Sequence, residues 1–160
     1  MKTIAAVLLL ACFAFGQDKA AVSAAKAACG PQDVEFEVVA DDSQHPAAIP
    51  ENGKALIYVV QETIGSTRFG VDGKWLGALK AETYFFSSIE PGERHLCAVS
   101  RLSLSHHLSL HDLKAEAGKT YYFVMRFAPY GPDSLALNEL NSDEGKYLVG
   151  MAKLSVSHPK

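Results

Sequence analysis

Along most of the chain, apolar positions recur at every second residue or gather in runs of five or six, which is the spacing of strands. Val34, Phe36 and Val38 alternate with Glu35, Glu37 and Val39 in a first strand, and the stretch 41–52, which contains Pro46 and Pro50 and is followed by Gly53, is a long connection. Ala55-Leu56-Ile57-Tyr58-Val59-Val60 is uniformly apolar, as expected of a central strand covered on both faces. Residues 67–79 read as a hairpin. Asp72-Gly73, the dipeptide favoured in two-residue turns with positive φ, lies between Phe69-Gly70-Val71 and Trp75-Leu76-Gly77.

Tyr84-Phe85-Phe86 opens another strand, Glu90-Pro91-Gly92-Glu93 has the chemistry of a turn, and His95-Leu96-Cys97-Ala98-Val99 continues beyond it. Leu102, Leu104, His106, Leu108 and Leu110 then share one parity against Ser103, Ser105, His107, Ser109 and His111, a strand with one wet face. A turn at Glu116-Ala117-Gly118-Lys119 precedes Thr120-Tyr121-Tyr122-Phe123-Val124-Met125-Arg126-Phe127, an aromatic strand expected near a sheet centre. Ser142-Asp143-Glu144 before Gly145-Lys146-Tyr147-Leu148-Val149 predicts a short helix capped by Ser142, with Gly145 as its weak point. About seven or eight short strands without alternating helices argue for an all-β chain, an antiparallel β-sandwich with a short C-terminal helix. A parallel sheet with helical crossovers is disfavoured.

The first residues break this pattern. Met1-Lys2-Thr3 is followed by an apolar run from Ile4 to Phe15 that is too short to span a bilayer comfortably and reads as a secretory signal peptide, residues 1–16. Ala14 and Gly16 supply the small side chains for cleavage before Gln17. The rival reading takes Leu9-Leu10-Ala11-Cys12 as a lipobox that would anchor the protein through a lipidated Cys12. An alanine-rich leader, residues 17–30, has no apolar stripe and ends at Cys29-Gly30-Pro31, leaving residues 31–160 as one β-sandwich domain. The expected location is therefore secreted or periplasmic. Signal removal leaves two cysteines, Cys29 and Cys97, which an oxidising compartment would join as a disulfide. Charge excludes a class of partners: 15 basic against 18 acidic residues give a net charge of -3, and loss of Lys2 makes it 14 against 18, or -4. Such a chain has no footprint for nucleic acid or an anionic membrane, and no second apolar run is long enough to be a transmembrane segment.

Gly53-Lys54-Ala55-Leu56-Ile57-Tyr58, Val71-Asp72-Gly73-Lys74-Trp75-Leu76-Gly77, Tyr84-Phe85-Phe86, Pro91-Gly92-Glu93-Arg94-His95 and Ala117-Gly118-Lys119-Thr120-Tyr121-Tyr122 occur in that order. Together they resemble the bacterial family known as domain of unknown function 2846, over about residues 53–150. The resemblance implies an exported or lipid-anchored envelope protein with a β-sandwich related to PEGA-type surface modules. It implies no activity, since the family carries no catalytic motif to transfer.

Candidate chemistry is thin. His107 and His111, with His106 nearby, are weak metal candidates, because residues four apart on a strand are about 13 Å apart and would need His95 or His158 to complete a site. Solvated histidines, with a structural hydrogen bond from His95, are the simpler reading. A nucleophilic pairing of His95 with Cys97 fails if the sulfur is bridged. Asp41-Asp42 and Asp143-Glu144 lack a spaced set of oxygen ligands and read as solvated loop charge or helix N-terminal acids. Ser87 and Ser88 lack a nucleophile elbow, and no phosphate-binding loop occurs. Trp75, Tyr84 and Tyr122 read first as core residues; as an exposed aromatic platform for sugars, the candidates are Trp75 and Tyr130. The expectation is a non-enzymatic envelope module without a cofactor, with an envelope protein or a cell-wall glycan as partner. The alternatives are a carbohydrate or peptidoglycan binder and, less favoured, a histidine-based metal enzyme.

Overall fold

A computed structural model describes residue 23 and residues 29–102, 105–127 and 135–160. The expected signal peptide, the Cys12 lipobox, most of the leader and Tyr130 lie outside the described residues. These form β1 (Phe36–Asp41), β2 (Ala55–Gln61), β3 (Ser66–Val71), β4 (Lys74–Lys80), β5 (Thr83–Ile89), β6 (Gly92–Leu102), β7 (Ser105–Ala115), β8 (Thr120–Phe127), β9 (Leu135–Leu140), α1 (Ser142–Met151) and β10 (Lys153–Pro159). The strands make a six-stranded sheet, β1-β10-β5-β2-β8-β9, and a four-stranded sheet, β4-β3-β6-β7. The expected sandwich is present, with ten strands among the described residues.

Two pairs in the larger sheet run parallel, β2 with β8 and β10 with β5. The chain alternates between sheets after β2 and reverses at each turn, so it returns to the first sheet at β5 against the direction of β2 and again at β8 along it. Helix α1 supplies the second parallel return, because it carries the chain back across the sheet before β10 starts.

The run at β2 is apolar throughout because it is buried throughout. Ala55, Ile57 and Val59 face the smaller sheet, where they meet Phe69, Leu79, Leu96 and Ala98, with Phe123 of the neighbouring β8 beside them. Leu56, Tyr58 and Val60 face the other way, into a second cluster with Tyr84, Tyr122, Val124 and Ala152, covered by Leu148 and Val149 of α1. The hairpin forms at the expected place: Asp72 and Gly73 have φ of 49° and 80°, and Val71 pairs with Lys74. A bulge between Phe69 and Gly70, which leaves Leu76 extra, was not legible in the alternation.

Strand β7 presents its faces in an unexpected sense. Leu108 and Leu110 are 43% and 45% exposed, whereas Leu113 and Ala115, which share the parity of His107, Ser109 and His111, are buried in the core. The serine and histidine face therefore turns inward. It is held there because Ser109 Oγ accepts a hydrogen bond from the backbone N–H of Leu137 in β9, at 2.9 Å. The opposite flank of the sandwich closes in the same manner. The Ala78 N–H of β4 donates to Ser157 Oγ at 3.0 Å, and Ser155 Oγ donates to the Ala78 carbonyl at 2.7 Å, so hydroxyls of one sheet satisfy the edge backbone of the other.

The helix begins at the expected cap residue, Ser142, so its cap lies one residue earlier. Asn141, not Ser142, accepts hydrogen bonds from the N–H groups of Asp143 and Glu144, at 3.1 and 2.9 Å. Gly145 is the buried residue of α1. A Cβ there would lie 2.6 Å from Cδ1 of Tyr122 and closer still to its Cγ and Cβ. The glycine that weakens the helix in the sequence is what lets the helix rest on β8.

Candidate ligand groove

Cys29 and Cys97 form the expected disulfide, with Cα atoms 5.0 Å apart and a sequence separation of 68. Strand alternation explains where it sits. Leu96 and Ala98 of β6 face the core between the sheets, so Cys97 and Val99 face outward, where they cluster with Cys29 and Trp75. Residues 29–35 thus form a strap over the outer face of the four-stranded sheet before the chain joins the other sheet as β1.

Each step of the strap has a fastening. A Cβ on Gly70 would stand 2.8 Å from the Cys29 carbonyl oxygen, so only glycine permits this close an approach. Trp75 Nε1 donates to the Pro31 carbonyl at 2.7 Å. Arg68 Nη1 donates to the carbonyls of Gln32 and Val34 at 3.1 and 2.6 Å. The Arg68 guanidinium lies 4.7 Å over the Trp75 ring, a cation–π contact that orients it further. Beyond the strap, the Lys160 N–H donates to the Glu35 carbonyl at 2.9 Å, and β1 pairs with β10 along its whole length.

Between the strap and the sheet lies a cavity of about 330 Å³. Residues 32–36 and Val38 line one side, Ser66, Arg68, Val99 and Arg101 the other, with Lys160 also in the lining. Its charges are mixed. Arg68, Arg101 and Lys160 meet Asp33 and Glu35, but the Arg101 to Glu35 approach is only 3.9 Å between well-exposed side chains, so it is weak and readily exchanged. Burial lowers the Arg68 pKa, with Glu35 opposing that shift; the guanidinium stays cationic.

The residues singled out in the sequence fall elsewhere or serve this frame. Trp75 is half-buried beneath Arg68 with its indole N–H engaged by the strap. Tyr84 and Tyr122 are core, as read, and both pack near Tyr58, with Tyr58 and Tyr122 stacked at 5.3 Å. His107 and His111 are half-buried on β7 rather than solvated. His111 meets the Phe123 ring edge-on at 5.2 Å and lies 3.6 Å from Glu139 Oε2. No group of three His, Cys, Asp or Glu side chains suited to a metal ion occurs among the described residues. His95 makes the expected structural contact: its Nδ1 is 2.7 Å from Asp112 Oδ1, and that hydrogen bond, with the Asp112 charge, raises its pKa. Asp72, at the hairpin turn, accepts from the His95 N–H at 2.9 Å and from Arg94 Nη1 at 2.8 Å.

Arg68 and Arg101 were not visible as site residues. They stand on strands among ordinary polar positions, and the groove exists only because residues about 34 apart are brought together, as in the Arg68 bond to the Val34 carbonyl.

Among curated proteins, the chain is 26% identical over 115 residues to an uncharacterized protein of Haemophilus influenzae, covering 68% of this chain. The chain spans 66% of that relative's length. No solved structure matches. The family model described as protein of unknown function (DUF2846) matches residues 51–134, from just before β2 to just before β9, and so takes in β3, β4 and β6, whose residues line the groove's sheet side. With more than half its length so matched, this chain belongs to the DUF2846 family.

Proposed function

We propose that this protein is an exported, non-enzymatic binding module of the cell envelope that receives its partner in the groove beneath the strap. The observation that carries the reading is the pinning of the strap at both ends, by the Cys29–Cys97 bridge and by the β1–β10 ladder. A cavity of about 330 Å³ held open in this way falls within the size of ordinary ligand sites, and rigid walls lower the ordering cost of binding. Export is supported by the signal-like N-terminus, by a disulfide of the kind that persists in oxidising compartments, and by the absence, among the described residues, of any helix long and apolar enough to cross a membrane. Carbohydrate stacking has less to stand on, since Arg68 covers one face of Trp75 and the strap engages its indole N–H.

The test is site-specific photocrosslinking in cells, with the crosslinker placed at Arg101 or Gln32 in the groove and at Tyr147 on α1 as the control. Adducts from the groove positions and none from Tyr147 support the reading. Equal labelling from both faces, or none from the groove, overturns it.

A further inference from the structure

We infer that the groove selects a carboxylate carried on an apolar group, of the kind presented by the free C-terminal end of a peptide. This rests on the groove being the binding site and names what it recognises. Both hydrogens of Arg68 Nη1 are committed to strap carbonyls. Its Nε and Nη2 have no protein partner among the described residues and are not sealed from solvent. The guanidinium of this cavity-lining residue is therefore fixed by two carbonyls and an indole face, and Nε and Nη2 remain as a fork of uncommitted donors. Such a fork matches the two oxygens of a carboxylate.

Arg101 adds a second cation on the same side, held only by the long contact to Glu35. Val34, Phe36 and Val38 offer an apolar wall on the other side. That wall contributes nothing to a bare inorganic anion and favours a carboxylate with a hydrocarbon group attached. Asp33 and Glu35 point to the same conclusion, because two carboxylates in the lining oppose a dianion more than a monoanion. The cavity has room for the end of a chain, not for a long segment.

The experiment is a titration of the mature, disulfide-bonded protein followed by backbone amide NMR. The probes are N-acetyl-Ala-Leu with a free carboxylate, its C-terminal amide, and inorganic phosphate. The expected result is that the free acid shifts resonances of residues 32–38, 66–68 and 99–101, and binds at least about tenfold more tightly than the amide. Arg68→Lys weakens the acid by about tenfold because the planar fork is lost. Arg101→Gln, an exposed change, weakens it about threefold at unchanged melting temperature, which separates recognition from folding. Equal binding of acid and amide in the groove overturns carboxylate selection and leaves the binding reading intact, as does phosphate binding as tightly as the acid. Shifts confined to another face, together with no groove crosslinks in cells, overturn both.

Discussion

Gly145 sets two effects of opposite sign against each other. Gly145→Ala improves helix propensity by about 1 kcal/mol. It also places a methyl group 2.6 Å from Cδ1 of Tyr122 and closer to two more of its atoms. Tyr122 cannot swing away: it is 8% exposed and stacked on Tyr58 at 5.3 Å and 12°. Its Cβ is among the obstructing atoms, so even a ring rotation leaves the clash and α1 must lift. Overpacking of this kind costs about 1–3 kcal/mol, and lifting the helix also strains the Arg126 Nη2 contact to Glu144 at 3.1 Å. The net expectation is a loss of up to about 2 kcal/mol after the propensity gain is subtracted. Gly150, on the same helix, has open space within 4 Å of the point where a methyl group would stand, so Gly150→Ala gains up to about 1 kcal/mol. Urea unfolding at constant m reads both changes, and melting should fall by up to about 6 °C for the first and rise by up to about 3 °C for the second. If Gly145→Ala stabilised the protein as Gly150→Ala does, α1 would not rest on Tyr122 and the account of the outer cluster would be wrong.

Replacing both cysteines by serine removes the closure of a 68-residue loop and should cost up to about 4 kcal/mol by chain entropy, with faster hydrogen exchange across residues 29–35; a loss below about 1 kcal/mol would mean the strap is held by its other contacts. The His95 pKa, raised above 6.5 by Asp112, should be read by NMR and should return toward 6.5 in Asp112→Asn. Because the folded value is the higher one, the stabilisation from this pair is full below pH 6.5 and disappears as pH rises through the folded pKa. A variant with an unchanged His95 titration would show that the contact carries no charge coupling in solution. Asn141→Ala should cost about 1 kcal/mol while Ser142→Ala changes stability by a few tenths; the reverse order in chemical denaturation would restore Ser142 as the cap.

Local pattern was sufficient for some features because the physics behind them is local. A two-residue turn with both φ positive admits few dipeptides, so Asp72-Gly73 located the hairpin and its register. A run buried on both faces has no polar parity, so β2 read correctly as central. Two cysteines left after a signal-like segment have few alternatives to pairing, and they pair. Family membership was legible for the same reason, from short turn and strand pieces in order.

Tertiary structure decided what depends on contacts between distant segments. Alternation in β7 showed that two faces differ but not which of them the core would take, and the answer came from Leu113, Ala115 and the Ser109 bond to β9. The cap is Asn141 rather than Ser142, a choice between two adjacent residues that both favour the N-cap position. The parallel pairs follow from a chain that shuttles between sheets, which no single segment records. The groove is the clearest case: Arg68 becomes a directed donor only when residues 29–35, tied down by a bridge to Cys97, cross over it. Residue pattern determined which strands form and what each must bury; packing between sheets determined which polar groups were left facing a cavity, because that depends on distances the linear sequence does not contain.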